Sequence, residues 1–237
     1  MLKPAPHKRL INAGRHHARQ YHSGLYMITS ICGLIDAFCF LALGGVFAEM
    51  MTGNFLLLAL SIGTGTFFSD GGHFIIAIAA FTVGAFIGGL FVNLTRDKGQ
   101  FQRTGFVVEW VVLVAACILA INTEPTVNNA SGITLVVMLA FCMGIQNAIV
   151  RSFSVPDLAT NVMTLTFTAI IAESKAAKGG NKNVERRIGS VLIFMCSAIL
   201  GALLLRWHMT YPIILATLLF TIALYPLLFG HHEACKH

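Results

Sequence analysis

Charge is scarce in this sequence. Asp, Glu, Lys and Arg make up 11% of its 237 residues, against roughly 25% in soluble domains. That scarcity excludes an ordinary water-soluble globular class. Paired cysteines are missing as well. Cys32, Cys39, Cys117, Cys142 and Cys196 lie within apolar stretches and Cys235 lies in the tail, with no C-x-x-C or other metal-ligand spacing, so small buried hydrophobes are expected. Enzyme signatures are also absent: there is no Gly-x-Ser-x-Gly, no His-Glu-x-x-His and no Walker loop. No catalytic residue, cofactor or metal is predicted, and the expectation is a protein that is not an enzyme. His7, His16, His17, His22, His231, His232 and His237 stud the two tails without a fixed ligand spacing.

What the chain has is apolar sequence. Hydrophobic residues reach 56% and the mean hydropathy is +0.77. Eight apolar segments follow one another: Gly24–Phe47, Asn54–Phe68, His73–Leu94, Gly105–Ile121, Gly132–Val150, Leu158–Ala172, Ile188–Leu205 and Pro212–Phe229. A bilayer core of ~30 Å takes about 20 residues of helix, so the expected class is an all-α membrane protein. The tail before the first segment does not fit a cleaved signal peptide. Two segments, Asn54–Phe68 and Leu158–Ala172, are short at 15 residues each; either all eight segments cross, or these two are re-entrant or half-helices.

The net charge of +6 is distributed for topology, not for nucleic acid. Lys3, Lys8, Arg9, Arg15 and Arg19 form one cluster, Arg96, Lys98 and Arg103 a second, and Lys175, Lys178, Lys182, Arg186 and Arg187 a third. If the short segments are broken or re-entrant, all three clusters and Arg151 fall on one side, as the positive-inside rule requires. Arg206 is then the only Lys or Arg opposite. The prediction is six full crossings plus two short segments in a bacterial inner membrane, with both termini cytoplasmic. The expected partners are the lipid bilayer, a small-molecule solute and a second copy of the chain in a homo-oligomer.

The order long, short, long, long occurs twice, and so does a motif. Gly33-Leu-Ile-Asp36-Ala37 precedes Met51-Thr52, and Gly144-Ile-Gln-Asn147-Ala148 precedes Met163-Thr164. The domain reading is a basic tail (1–23), a first membrane repeat (24–123), a second (124–230) and a polar tail (231–237). With three crossings each, the halves enter the membrane in opposite orientations. Transporters with inverted repeats place their site between the halves, at broken helices.

Asp36 is the leading site candidate, because a carboxylate within a membrane helix is costly and faces a cavity or a partner. It is either a proton or cation site or a structural carboxylate paired across the repeats, with Arg151 as the partner considered. Thr52, Gly53 and Asn54 open a short segment whose free amides suit an anion or a polar solute, or else simply cap it. Thr160, Asn161 and Thr164 are their counterparts. Gln146 and Asn147 are either solute ligands or packing contacts. Glu49 reads as a solvated loop carboxylate and Glu109 as an interfacial one. Gly84-x-x-x-Gly88 and Ser197-x-x-x-Gly201 read as close helix contacts.

Gly33-x-x-Asp36-Ala37, Leu43-Gly44-x-Val46-Phe47 and Met51-Thr52-Gly53-Asn54 together resemble the first signature of the YoaK family of bacterial multispanning membrane proteins. Met143-Gly144-x-Gln146-Asn147-Ala148, Arg151 and the Ala159–Thr164 stretch resemble the second, and the likeness runs from about Leu25 to Phe229. The resemblance implies a small-molecule transporter. The chain departs from the family pattern at Asn161, where a threonine is usual, and at Leu165, where a glycine is usual. Two functional readings follow: a secondary transporter of a small polar solute, proton-coupled through Asp36, or a membrane scaffold or interaction protein without transport.

Overall fold

A computed structural model describes residues 6–94, 98–152, 163–174, 180 and 183–229, and among them the regular structure is helical throughout. In chain order the helices are α1 (Pro6–Ala42), α2 (Met51–Gly63), α3 (Gly72–Leu94), α4 (Lys98–Asn122), α5 (Ala130–Ser152), α6 (Met163–Ala172), α7 (Val184–Leu205) and α8 (Tyr211–Phe229). A π-helical turn, Phe67–Gly71, leads into α3. Helices α3, α4, α5, α7 and α8 contain stretches long and apolar enough to cross a membrane, and α1 contributes a 17-residue apolar stretch, Tyr26–Ala42. The all-α membrane class follows.

Several boundaries differ from those expected. The first helix stops at Ala42 rather than Phe47, because Gly44 and Gly45 take φ of 89° and 77°, a left-handed conformation that breaks the helix. The second starts at Met51, three residues early. At 13 residues, α2 extends about 20 Å, short of the bilayer, and the described part of α6 is 10 residues long. Helix α5 begins where the Asn129 side-chain Oδ1 accepts the Gly132 amide at 2.8 Å, a side-chain N-cap.

Two parallel helix pairs organise the bundle. In one, Gly33 of α1 faces Phe194, Ser197 and Ala198 of α7, and Gly201 of α7 faces Leu34 and Ala37 of α1. In the other, Gly144 of α5 faces Phe81 and Ala85 of α3, while Gly84 and Gly88 of α3 face Phe141, Ile145 and Ala148 of α5. Small residues let the backbones approach, and dispersion between them holds such pairs together. The pairs run in opposite directions. Gly44, just past the end of α1, lies against Val127, whose carbonyl oxygen pairs with His73 near the start of α3. Helix α1 also packs on α8, and α5 on α4. The most buried residues belong to α1 and α5, whereas α3 and α7 turn wide apolar faces outward.

Candidate functional site

The chain after α1 folds back into the bundle, and Asp36 holds it there. Its Oδ1 accepts the backbone amides of both Ala48 and Glu49 at 2.9 Å. Asn54, in the first turn of α2, grips the same loop from the other side. Its Oδ1 accepts the Phe47 amide at 2.9 Å, and its Nδ2 donates to the Phe47 carbonyl at 2.7 Å. The Phe47 ring stacks on Phe40 with centroids 4.8 Å apart and covers Gly53, where a Cβ would come within 2.8 Å of it. Residues 43–50 are thus a fastened inward loop. Asn54→Ala should leave the Phe47 amide and carbonyl without these partners, at a cost of about 1–3 kcal/mol. Faster hydrogen exchange of the amides of residues 46–49, with a lower melting temperature in detergent, would register it.

Fastening the loop buries Glu49. It is 2% exposed, beside Asp36 at 3%, and Glu109 of α4 is 0% exposed. Neither the solvated position expected for Glu49 nor the interfacial one expected for Glu109 is correct. Glu49 is carried inward by the loop. Helix α4 begins at Lys98, seven residues before Gly105, which puts Glu109 about three turns from its start rather than one. The sequence signal was available, since Phe106-Val-Val precedes Glu109 and Trp110-Val-Val-Leu follows it.

The acids occupy one level of the bundle. Cys142 of α5 donates to the Glu109 backbone carbonyl at 3.3 Å. One turn further along α5, Gln146 Nε2 donates to Cys32 Sγ at 3.0 Å, and Asp36 lies one turn beyond Cys32. Because α1 and α5 run in opposite directions, both turns climb the same way from the Cys32–Gln146 contact. Asp36, Cys142 and Glu109 therefore share a layer. Among the described residues Asp36 Oδ2, both Glu109 carboxyl oxygens and Gln146 Oε1 are buried without a hydrogen-bond partner, and buried polar atoms in that state are uncommon in proteins.

The sequence candidates divide accordingly. Asp36, Asn54 and Gln146 belong to the layer or fasten it, and Gly53 packs beneath Phe47. Thr52 and Thr164 are exposed, and Arg151 is exposed near the end of α5. With Asp36 bonded to the loop amides, no Asp36–Arg151 pair joins them. The Asn147 amide donates to the Met143 carbonyl of its own helix at 3.0 Å. Thr160 and Asn161 lie outside the described residues. The start of α2 is not an open anion cradle. The amides of Met51, Gly53 and Asn54 already bond the carbonyls of Glu49 and Met50, and two carboxylates stand beside them.

Residues 24–225 match the family model described as "Protein of unknown function (DUF1275)". The chain belongs to that family. It is also 23% identical over 192 residues to the UPF0700 transmembrane protein YoaK of Bacillus subtilis (strain 168), a match covering 76% of this chain and 81% of the relative. No solved structure matches the chain. The likeness to a protein named as transmembrane agrees with the helical bundle. It leaves the chemistry to be argued from the acidic layer.

Proposed function

We propose that the protein is a secondary transporter of a small polar solute in the bacterial inner membrane, coupled to protons through Asp36. One observation carries this reading. A 3% exposed carboxylate uses one oxygen to fasten an inward loop and leaves the other without a hydrogen-bond partner among the described residues. Protonation of Asp36 weakens its hold on the Ala48 and Glu49 amides, since an ionised acceptor makes the stronger bond. The Gly44–Gly45 hinge then lets the loop move. Proton binding and access to the bundle interior are coupled through those two amides.

The arrangement of the helices supports an inverted repeat of 24–123 on 124–230. Gly33, Leu34 and Ala37 of α1 meet α7 as Gly144, Ile145 and Ala148 of α5 meet α3. On the partner helices Phe194, Ser197, Ala198 and Gly201 take the parts of Phe81, Gly84, Ala85 and Gly88. The short helices match as well, α2 packing on α3 as α6 packs on α7. Paired short helices beside an interface of inverted halves are a transporter pattern. Helix α4 starts, α5 ends and α7 starts at the face opposite Val127, with Arg103, Arg151, Arg186 and Arg187. Under the charge rule that face is cytoplasmic, and so are both termini.

The complete burial of Asp36 favours a second reading, a scaffold in which the loop never opens. Purified protein in vesicles carrying a lumenal pH dye separates the two. Under the transport reading, at least one class in a panel of amino acids, sugars, polyamines and small organic acids changes lumenal pH beyond protein-free vesicles. A panel with no effect on lumenal pH or on solute content overturns transport and leaves the scaffold.

A further inference from the structure

Glu109 stands where its helix calls for an apolar residue. Phe106, Glu109, Leu113, Ala116 and Ala120 are all buried, at spacings of three, four, three and four residues. That period lines one helix face, and α4 packs on α5 and α8. Four of the five side chains are apolar. The carboxyl of the fifth fastens nothing. Both its oxygens are buried and accept no hydrogen bond among the described residues. The bond that ties Glu109 to α5 uses its backbone carbonyl, which any residue would present. Asp36, by contrast, holds two loop amides. An apolar side chain of similar size would fill the Glu109 position without the desolvation cost of a buried acid.

The helices around Glu109 supply no counter-charge. On α5 the titratable groups are Cys142, turned to the Glu109 carbonyl, and Arg151, exposed near the helix end. Helix α8 has Tyr211 and Tyr225, both exposed, and α3 has His73, engaged with the Val127 carbonyl. On α4 itself, Lys98 and Arg103 belong to the first two turns, and Cys117 lies two turns beyond Glu109. Arg103 is ~9 Å earlier along the axis and on another face. The buried acids of the first half, Asp36 on the loop amides and Glu49 with a partner of its own, add no positive charge. A metal ion needs several ligands, and among the described residues no three His, Cys, Asp or Glu side chains are grouped to hold one. A proton needs only the carboxyl.

We infer that Glu109 is a proton-binding residue, carried inside the bundle as a carboxylic acid. Binding forms one O–H bond on a carboxylate oxygen with a proton taken from hydronium, and release returns the proton to water. The site is independent of the loop that Asp36 fastens, for it lies on α4 and its carboxyl bonds to neither. Its use in coupling, as a second acid besides Asp36, rests on the transport reading, but its existence does not.

Infrared spectroscopy of the purified full chain, with and without carbon-13 at its glutamate carboxyls, tests this without any solute. Protonated carboxyl groups give a carbonyl band distinct from that of carboxylates, and the label displaces the glutamic-acid band but no aspartic-acid band. The wild type should show a displaced band at neutral pH, and Glu109→Leu should lose it. The E109L protein should also melt at or above wild type in detergent, because leucine completes the apolar stripe and no side-chain hydrogen bond is lost. A labelled wild type without a glutamic-acid band at neutral pH overturns the inference, and that result needs no variant to fold. A band that persists undiminished in E109L overturns it too. So does an E109L protein that melts far below wild type or fails to fold, since the carboxyl would then hold a structural contact. The transport reading fails separately. A Glu109 band without solute-linked proton movement would remove transport alone, whereas transport without that band would remove the Glu109 site alone.

Discussion

Gly144→Ala is expected to destabilise the bundle strongly by forcing two helices apart. The Cβ at Gly144 would collide with the Phe81 carbonyl oxygen and crowd the Ala85 amide nitrogen. Both are backbone atoms of α3, so no side-chain rotation relieves the contact and the two helices must move apart. Overpacking of this kind costs typically 1–3 kcal/mol, and about 3 kcal/mol is expected here because the whole α3–α5 seam shares the strain. Gly33→Ala should behave alike, since its Cβ would meet Ser197 Oγ and the Phe194 carbonyl of α7. Gly89→Ala is the control, because open space surrounds that position and alanine favours helix by ~1 kcal/mol over glycine. Melting of the detergent-solubilised proteins should place G144A and G33A well below wild type and G89A at or above it. Equal melting temperatures for G144A and G89A would contradict the close α3–α5 approach.

The second large effect is expected at Asp36, where two substitutions separate its roles. Asp36→Asn keeps an oxygen able to accept the Ala48 and Glu49 amides but can neither ionise nor carry a proton. Proton-linked solute movement should fall to the level of empty vesicles, while solute exchange without a gradient persists and the melting temperature changes little. Asp36→Leu removes the acceptor too. Two hydrogen bonds to a charged group are lost, each worth roughly 1.5–3 kcal/mol, and two loop amides are left buried. The D36L protein should melt lower and exchange amide hydrogen rapidly across residues 46–49. Unaltered proton coupling in D36N would show that the coupling group lies elsewhere.

The features legible in the sequence were those set by local pattern. Apolar length gave the long helices, and residue count alone marked the second and sixth segments as short. Gly84-x-x-x-Gly88 and Ser197-x-x-x-Gly201 were readable as close contacts, because small residues at i, i+4 line one helix face. Their partners were not readable, since nothing local to Gly201 specifies Leu34 and Ala37. Asp36 stood out because its flanks are apolar on both sides. Glu49 did not, for its burial depends on a loop that turns inward only when Asp36 and Asn54 hold it. Glu109 was misplaced by a helix boundary set seven residues late, an error that moved a buried acid to the surface. Asn54 was seen as a cap or a ligand, whereas its amide closes a ring on Phe47, a residue outside its own helix.

The crossed pairing of helices has a consequence for biogenesis. Gly33 leaves the ribosome 164 residues ahead of its partner Ser197. At ~5–20 residues per second, the opening helix waits on the order of ten seconds for the surface that will shield it. During that interval its carboxylate has only the newly made loop as company. Until α7 emerges, the small-residue face of α1 around Gly33 stands open to lipid and to the insertion machinery.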